Sequence, residues 1–281
     1  SLNQIYSDYI PNSELNQLCN TAGSAQWVTV SPALFDLIQQ SARAWKISEG
    51  SFDITVGPVV RLWRRARKEN KFPDKDSVNK AMQSVGFQYV LIDSVNKKIQ
   101  LTKTGMQLDP GGIGQGYIGQ KILNYLFEQK IRIALVDVSG DIVTGEPPPG
   151  KKGWTVAVNV PESENELLDN KAIVHHQSII TSGDVYQYLL YNGKKYSHIV
   201  DPKTGYGVTN QRNVTVIAAD GTTADWFTKA CTILSVKKIK RIAKKINAQY
   251  LIGTMKSGKI KFYQSKGFSQ YWAPKPDADA H

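Results

Sequence analysis

Cysteine is nearly absent from this chain: Cys19 and Cys231 are the two in 281 residues. They lie far apart, in neither a CxxC pair nor a metal-ligand spacing, which excludes a dithiol redox motif and a cysteine-based metal site. Cys231 falls within a predicted helix and reads as a small buried hydrophobe. A disulfide between the two stays open, and neither enters the chemistry below. Long apolar runs are also lacking: no stretch of about 18 such residues exists, so nothing reads as a membrane-spanning helix. There is no internal repeat. The chain starts at Ser1-Leu2-Asn3 without methionine or a signal peptide, and reads as processed or trimmed.

Acidic residues are outnumbered, 24 against 35 Lys and Arg, for a net charge of +11. Such a balance favours acidic partners or phosphorylated ligands. One basic run comprises Arg61, Arg64, Arg65, Arg67 and Lys68. A second comprises Lys237, Lys238, Lys240, Arg241, Lys244 and Lys245. Ile239, Ile242, Ala243 and Ile246 recur through the second at helical spacing, the pattern of a surface helix with a solvated basic face. No base-reading motif accompanies the charge, so the expectation is no nucleic acid.

Helices are predicted over 31–50, with Ser31 as N-cap and Pro32 as first helical residue, and over 75–85, stopped by Gly86. Others are predicted over 117–129, 222–234 and 236–247. Strands are predicted over 89–93, 98–102, 133–138, 154–160 and 214–218, with another ending at Leu108. Segments 186–191 and 194–200 flank Asn192-Gly193, a strong hairpin signal, and a further hairpin surrounds Ser257-Gly258. Hairpins without regular strand–helix alternation argue for an α+β fold, mainly antiparallel sheets with packed helices. The chain reads as one domain over 1–281 with a loose tail from 273.

Four runs carry candidate chemistry. In Leu108-Asp109-Pro110-Gly111-Gly112-Ile113-Gly114-Gln115-Gly116-Tyr117, a strand enters glycines and the glycines enter a helix. Glycines admit close backbone approach and a helix N-terminus offers N–H groups, which suits a pyrophosphate. Gly114-x-Gly116-x-x-Gly119 also matches a dinucleotide fingerprint, with Asp137 near the expected acidic position, but the hairpins contradict the βαβ context it needs. A purely structural turn is the alternative. In Gly50-Ser51-Phe52-Asp53, Phe52 offers an aromatic face, and Asp53 either bonds a nucleotide or caps a turn. His198 lies at the end of a hairpin strand before Asp201-Pro202-Lys203-Thr204-Gly205, where it can exchange protons near neutrality or simply bond nearby backbone. In Thr222-Thr223-Ala224-Asp225-Trp226-Phe227-Thr228-Lys229, either threonine caps a helix whose Asp225 complements the dipole or offers a hard oxygen to Mg²⁺.

Taken in order, these runs resemble the ApbE family of FAD:protein FMN transferases. The matching stretches are Gly-Ser-Phe-Asp-Ile-Thr-Val-Gly-Pro at 50–58, Leu-Asp-Pro-Gly-Gly-Ile-Gly at 108–114 and Val-Asp-Val-Ser-Gly-Asp at 136–141. Thr-Ser-Gly-Asp at 181–184, Ser-His-Ile-Val-Asp-Pro-Lys-Thr-Gly at 197–205 and Thr-Thr-Ala-Asp at 222–225 complete the set. The family's opening strand segment has no counterpart here.

The resemblance implies a T-fold-like architecture and transfer of FMN from FAD to a Ser or Thr hydroxyl of an acceptor protein, with AMP released. It implies FAD bound by Tyr9, Ser51, Phe52, Asp53, Asp109 and Gln115, with its pyrophosphate over 111–116. Mg²⁺ would be held by the Gly112 carbonyl and Asp225, and His198 would take the acceptor's proton. The acceptor would be a respiratory or redox protein with a Ser/Thr flavinylation motif, in the periplasm or on the outer face of the cytoplasmic membrane. A membrane lipid anchor upstream of Ser1 stays open.

Three positions depart from the family pattern. Gln115 replaces a lysine, Gln120 an aspartate, and Lys229 the metal-binding threonine four residues after Asp225. Thr228 is adjacent but turned about 100° around the helix. Three consequences stay open: Lys229 supplies the lost cation itself, the chain binds FAD without transferring FMN, or it acts as an FAD pyrophosphatase. A flavin carrier or a basic interaction domain is the reading from a different class.

Overall fold

The computed structural model describes residues 2–161, 167–183, 187–256 and 259–274. Helices α1 (Leu2–Tyr6) and α2 (Glu14–Asn20) lead to strand β1 (Val28–Thr29), then to α3 (Pro32–Ile47), α4 (Gly57–Glu69) and α5 (Lys75–Met82). Strands β2 (Val90–Asp93) and β3 (Lys98–Leu101) pair, and α6 (Gly114–Glu128) precedes β4 (Leu135–Val138) and β5 (Asp141–Thr144). Strands β6 (Trp154–Pro161), β7 (Leu167–Val174), β8 (Ser178–Gly183), β9 (Tyr188–Tyr191), β10 (Lys194–Ser197) and β11 (Arg212–Ala218) follow. The chain ends with α7 (Gly221–Ile233), α8 (Val236–Lys245), β12 (Gln249–Lys256) and β13 (Lys259–Gln264). No described helix is long and apolar enough to cross a membrane.

The centre is a six-stranded sheet in the order β13-β12-β11-β8-β5-β4, every pair antiparallel. Its middle strands are buried on both faces because side chains alternate with a period of two. Val214, Val216 and Ala218 of β11, with Ile180 and Ile252, face the main core with Ala224 and Phe227 of α7. Ile217, with Ile179 and Leu251, faces Val156, Val158, Ala172 and Val174 of the β6–β7 hairpin. Burial of each such side chain contributes about 1.5–3 kcal/mol. The α+β, antiparallel reading of the sequence therefore holds.

The basic run at 237–245 is helix α8, with Ile239, Ile242 and Ala243 buried at the expected spacing. Ser31 caps α3 through the Leu34 N–H, 3.2 Å away. Other expectations change. The first basic run is itself helix α4, opened by Gly57-Pro58, and its arginines hid the apolar stripe of Val59, Trp63 and Ala66. Leu108 stands in no strand; the Asp109 N–H donates to the Ile54 carbonyl at 2.7 Å and ties the two glycine-containing runs together. The cysteines are both buried and free, so no disulfide joins them. The Ser257-Gly258 turn, Asp184, Tyr186 and residues 275–281 of the tail lie outside the described residues, although β12 and β13 pair on either side of that turn.

The cap of α7 is neither Thr222 nor Thr223. Asp220 accepts the Thr223 N–H at 2.8 Å and the Thr223 hydroxyl at 2.8 Å. The threonines lie inside the first turn, where their own N–H groups need an acceptor. Asp220→Ala is expected to lower stability by about 0.5–2 kcal/mol, read as a shift of the urea midpoint with an unchanged slope.

Candidate active site

The glycine run does not form a phosphate loop throughout. Helix α6 begins at Gly114, three residues before the predicted start, so Gly114, Gly116 and Gly119 are helical. At Gly116 and Gly119 their smallness serves packing. A Cβ on Gly116 would meet the Gly221 carbonyl oxygen at 2.1 Å and Asp225 Cβ at 2.7 Å. This approach of α6 to α7 brings the Gly116 N–H to Asp225 Oδ2 at 3.1 Å. The Gly111 N–H donates to Asp109 Oδ1 at 2.8 Å, and those of Ile113 and Gly114 to the Pro110 carbonyl. These N–H groups are therefore committed within the protein, contrary to the expected array of free donors. Asp137 is exposed and closes its own turn through the Gly140 N–H at 2.7 Å, so the dinucleotide match has no structural counterpart.

The predicted residues nevertheless converge on one cleft of about 570 Å³. Tyr9, Ser51, Phe52, Asp53, Asp109, Gly112, Gln115, His198 and Lys229 all line it. Asp225 and Thr228 are fully buried behind Lys229. Tyr9 stands 74 % exposed, its ring 4.5 Å from the Arg64 guanidinium. Phe52 is buried against Trp226, and only part of its ring reaches the cleft. Asp53 lies in the wall, but its carboxylate is turned to the fold. It accepts from the Thr55 N–H at 2.8 Å, the Thr55 hydroxyl at 2.6 Å and the Phe87 N–H at 3.0 Å. Asp53 is thus the turn-organising residue, the structural alternative. Asp109 likewise uses both oxygens, on the Gly111 N–H and on Arg64 at 2.9 Å. Burial raises its pKa against the pull of the Arg64 charge.

His198 follows β10, and α4 holds that hairpin in place. Trp63 stacks on Tyr196 at 5.6 Å and donates from Nε1 to the Gly205 carbonyl at 2.8 Å. The His198 N–H donates to the Gln187 carbonyl at 2.9 Å, and Nδ1 stands 3.3 Å from the same oxygen. A carbonyl only accepts, so Nδ1 carries the proton and Nε2 is the basic nitrogen. Burial first, then the Lys229 and Arg67 charges, push the His198 pKa down to about 4. The ring is neutral at physiological pH.

Deeper in the site, Lys229 Nζ lies 3.1 Å from Asp225 Oδ1 and 3.3 Å from Thr228 Oγ1. The lysine folds back over Thr228, so the turn between neighbours on the helix does not separate them. Burial alone would lower the Lys229 pKa; the Asp225 charge beside it is the largest influence in the other direction, and the net shift is upward, so the ammonium stays charged. Asp141, which opens β5, is buried beside this pair, and its Oδ2 has no hydrogen-bond partner among the described residues. Burial and the neighbouring Asp225 charge push its carboxyl up to about 8, so at neutral pH it is largely protonated.

Three participants escaped the sequence reading. Arg64 and Arg67 line the cleft although the sequence assigned their run no site role, and Arg67 Nη1 is buried without a hydrogen-bond partner among the described residues. A signal was available: Trp63 and Ala66 put these arginines on the border of an apolar stripe. Asp141 sits in a quoted run but had no role, because only the sheet brings β5 against α7. Gln120, one of the departures, accepts the Gly221 N–H at 3.0 Å at the start of α7.

The sequence matches the profile of the ApbE family over residues 1–252. The FAD:protein FMN transferase of Klebsiella pneumoniae (strain 342) is 32 % identical over 221 residues, 78 % of this chain and 68 % of that protein. That of Haemophilus influenzae is 28 % identical over 259 residues, covering 89 % and 75 %. The flavin transferase ApbE of Vibrio cholerae shares the fold with a TM-score of 0.84 at 24 % identity, over 96 % of this chain and 86 % of that one. The ApbE protein of Thermotoga maritima aligns with a TM-score of 0.83 at 25 % identity, over 97 % and 87 %. This chain belongs to the ApbE family.

Proposed function

We propose that the protein transfers FMN from FAD to a Ser or Thr hydroxyl of an acceptor protein and releases AMP. The observation that carries this reading is a neutral histidine facing the same cleft as Lys229 and an Arg67 donor, Nη1, that has no partner among the described residues. The acceptor oxygen attacks the FMN phosphorus and its proton passes to His198 Nε2. The bond from that phosphorus to the bridging oxygen breaks, and AMP departs with that oxygen. Transfer of this kind depends on positioning and on neutralising oxygen charge. Lys229 and Arg67 supply positive charge, while Tyr9, Ser51, Phe52 and Gln115 form the walls against which FAD is oriented. FMN fixed by a phosphoester serves electron transfer, so we place the acceptor among redox proteins.

Magnesium, expected from the resemblance, does not fit the site as this chain builds it. Both Asp225 oxygens are in use, one by Lys229 and one by the Gly116 N–H. No step above runs through a metal.

The test is incubation with FAD and a peptide-tagged flavinylation acceptor, with products resolved by mass. An acceptor heavier by one FMN, with AMP released, supports transfer. Free FMN and AMP with unmodified acceptor would make the protein an FAD pyrophosphatase, and unchanged FAD would make it a carrier. The pH profile adds a check. His198 has a depressed pKa, so its base form is present above about pH 4 and lost below it. The acid limb of kcat/KM for FAD is expected near pH 4, not 6.5. Bound diphosphate raises the His198 pKa by its negative charge, so the acid limb of kcat should lie higher.

A further inference from the structure

Lys229 occupies the meeting point of the residues expected to hold a metal. Its Cγ would stand 3.1 Å from a Cβ on Gly112, with the Phe52 ring 3.3 Å from the same point. Its stem therefore runs between Gly112 and α7, and its ammonium ends on Asp225 and Thr228. A dication would have to displace that ammonium or sit against it, and like charges this close repel strongly in a buried site. The lysine side chain is 17 % exposed and lines the cleft, while Asp225 behind it is fully buried. An ammonium has three donors. Two are directed to Asp225 and Thr228, and among the described residues the third has no partner, which leaves it for a ligand.

We propose that Lys229 is the built-in cation of this site, donating directly to the FAD diphosphate, and that the protein binds and uses FAD without a divalent metal. This rests on FAD being the substrate. Asp225 acts as a positioning residue that holds the ammonium in place, and Arg67 adds a second donor from α4.

The test begins with the unmodified protein. Mn²⁺ alone is titrated into it and bound metal is read by electron paramagnetic resonance. FAD affinity is then measured by flavin fluorescence in EDTA and in Mg²⁺. No Mn²⁺ bound below millimolar concentration, with FAD affinities agreeing within about threefold, is the expected result. Lys229→Thr should then bind Mn²⁺ and show FAD affinity that EDTA lowers by about tenfold or more. Stoichiometric Mn²⁺ on the unmodified protein, or a tenfold loss of its FAD affinity in EDTA, would overturn the proposal. If FAD binds in neither condition, the proposed function falls, and the Mn²⁺ titration still decides whether the ammonium excludes a metal.

Discussion

Replacing His198 by alanine should slow FMN transfer by about 10²- to 10⁴-fold, the usual contribution of a positioned general base, while FAD affinity stays within about threefold. The separation follows from geometry. The hydroxyl proton has to leave as the new P–O bond forms, and the Nδ1 contact with Gln187 leaves Nε2 to accept it. In the proposed mechanism binding relies on other residues that line the cleft, notably Lys229 and Arg67. Single-turnover transfer measures the first quantity and flavin fluorescence the second.

A structural role for His198 predicts something different. Losing one bond to the Gln187 carbonyl costs about 1 kcal/mol of stability and would leave transfer by the folded fraction almost intact. A rate within fivefold of the unmodified protein would remove His198 from the chemistry. A rate loss matched by an equal loss of FAD affinity would instead make it part of the binding wall.

Sequence reasoning recovered elements whose signals are local. Helix α8 shows its period because charge and isoleucine separate cleanly, and the β9–β10 hairpin is announced by Asn192-Gly193. Helix α4 was hidden because arginines border its apolar stripe on both sides. Strands β5 and β8 were missed for another reason: buried on two faces, they have no polar–apolar alternation to display.

The site shows the same division. The order of the family-matching runs pointed to residues that do converge on one cleft, but the sequence could not assign their atoms. Asp53 spends its carboxylate on the fold, and Gly116 serves the close approach of α6 to α7. Asp141 and Arg67 reach the site only through tertiary contacts between distant elements. Lys229 was visible as a departure, yet whether it displaces a metal depends on a path past Gly112 that spacing alone does not reveal.

Asp225→Ala should cost about 3–5 kcal/mol of stability, the range for removing one partner of a buried ion pair. The carboxylate is fully buried and holds Lys229 at 3.1 Å and the Gly116 N–H at 3.1 Å. Its loss leaves the ammonium without its main counter-charge and an N–H without an acceptor. The double substitution Asp225→Ala with Lys229→Met should recover most of that cost, because both charges of the pair leave together. Urea unfolding of the two variants at pH 7 decides the point. A single variant within about 1 kcal/mol of the unmodified protein, or a double variant no more stable than the single one, would mean that the pair does not hold this corner of the site together.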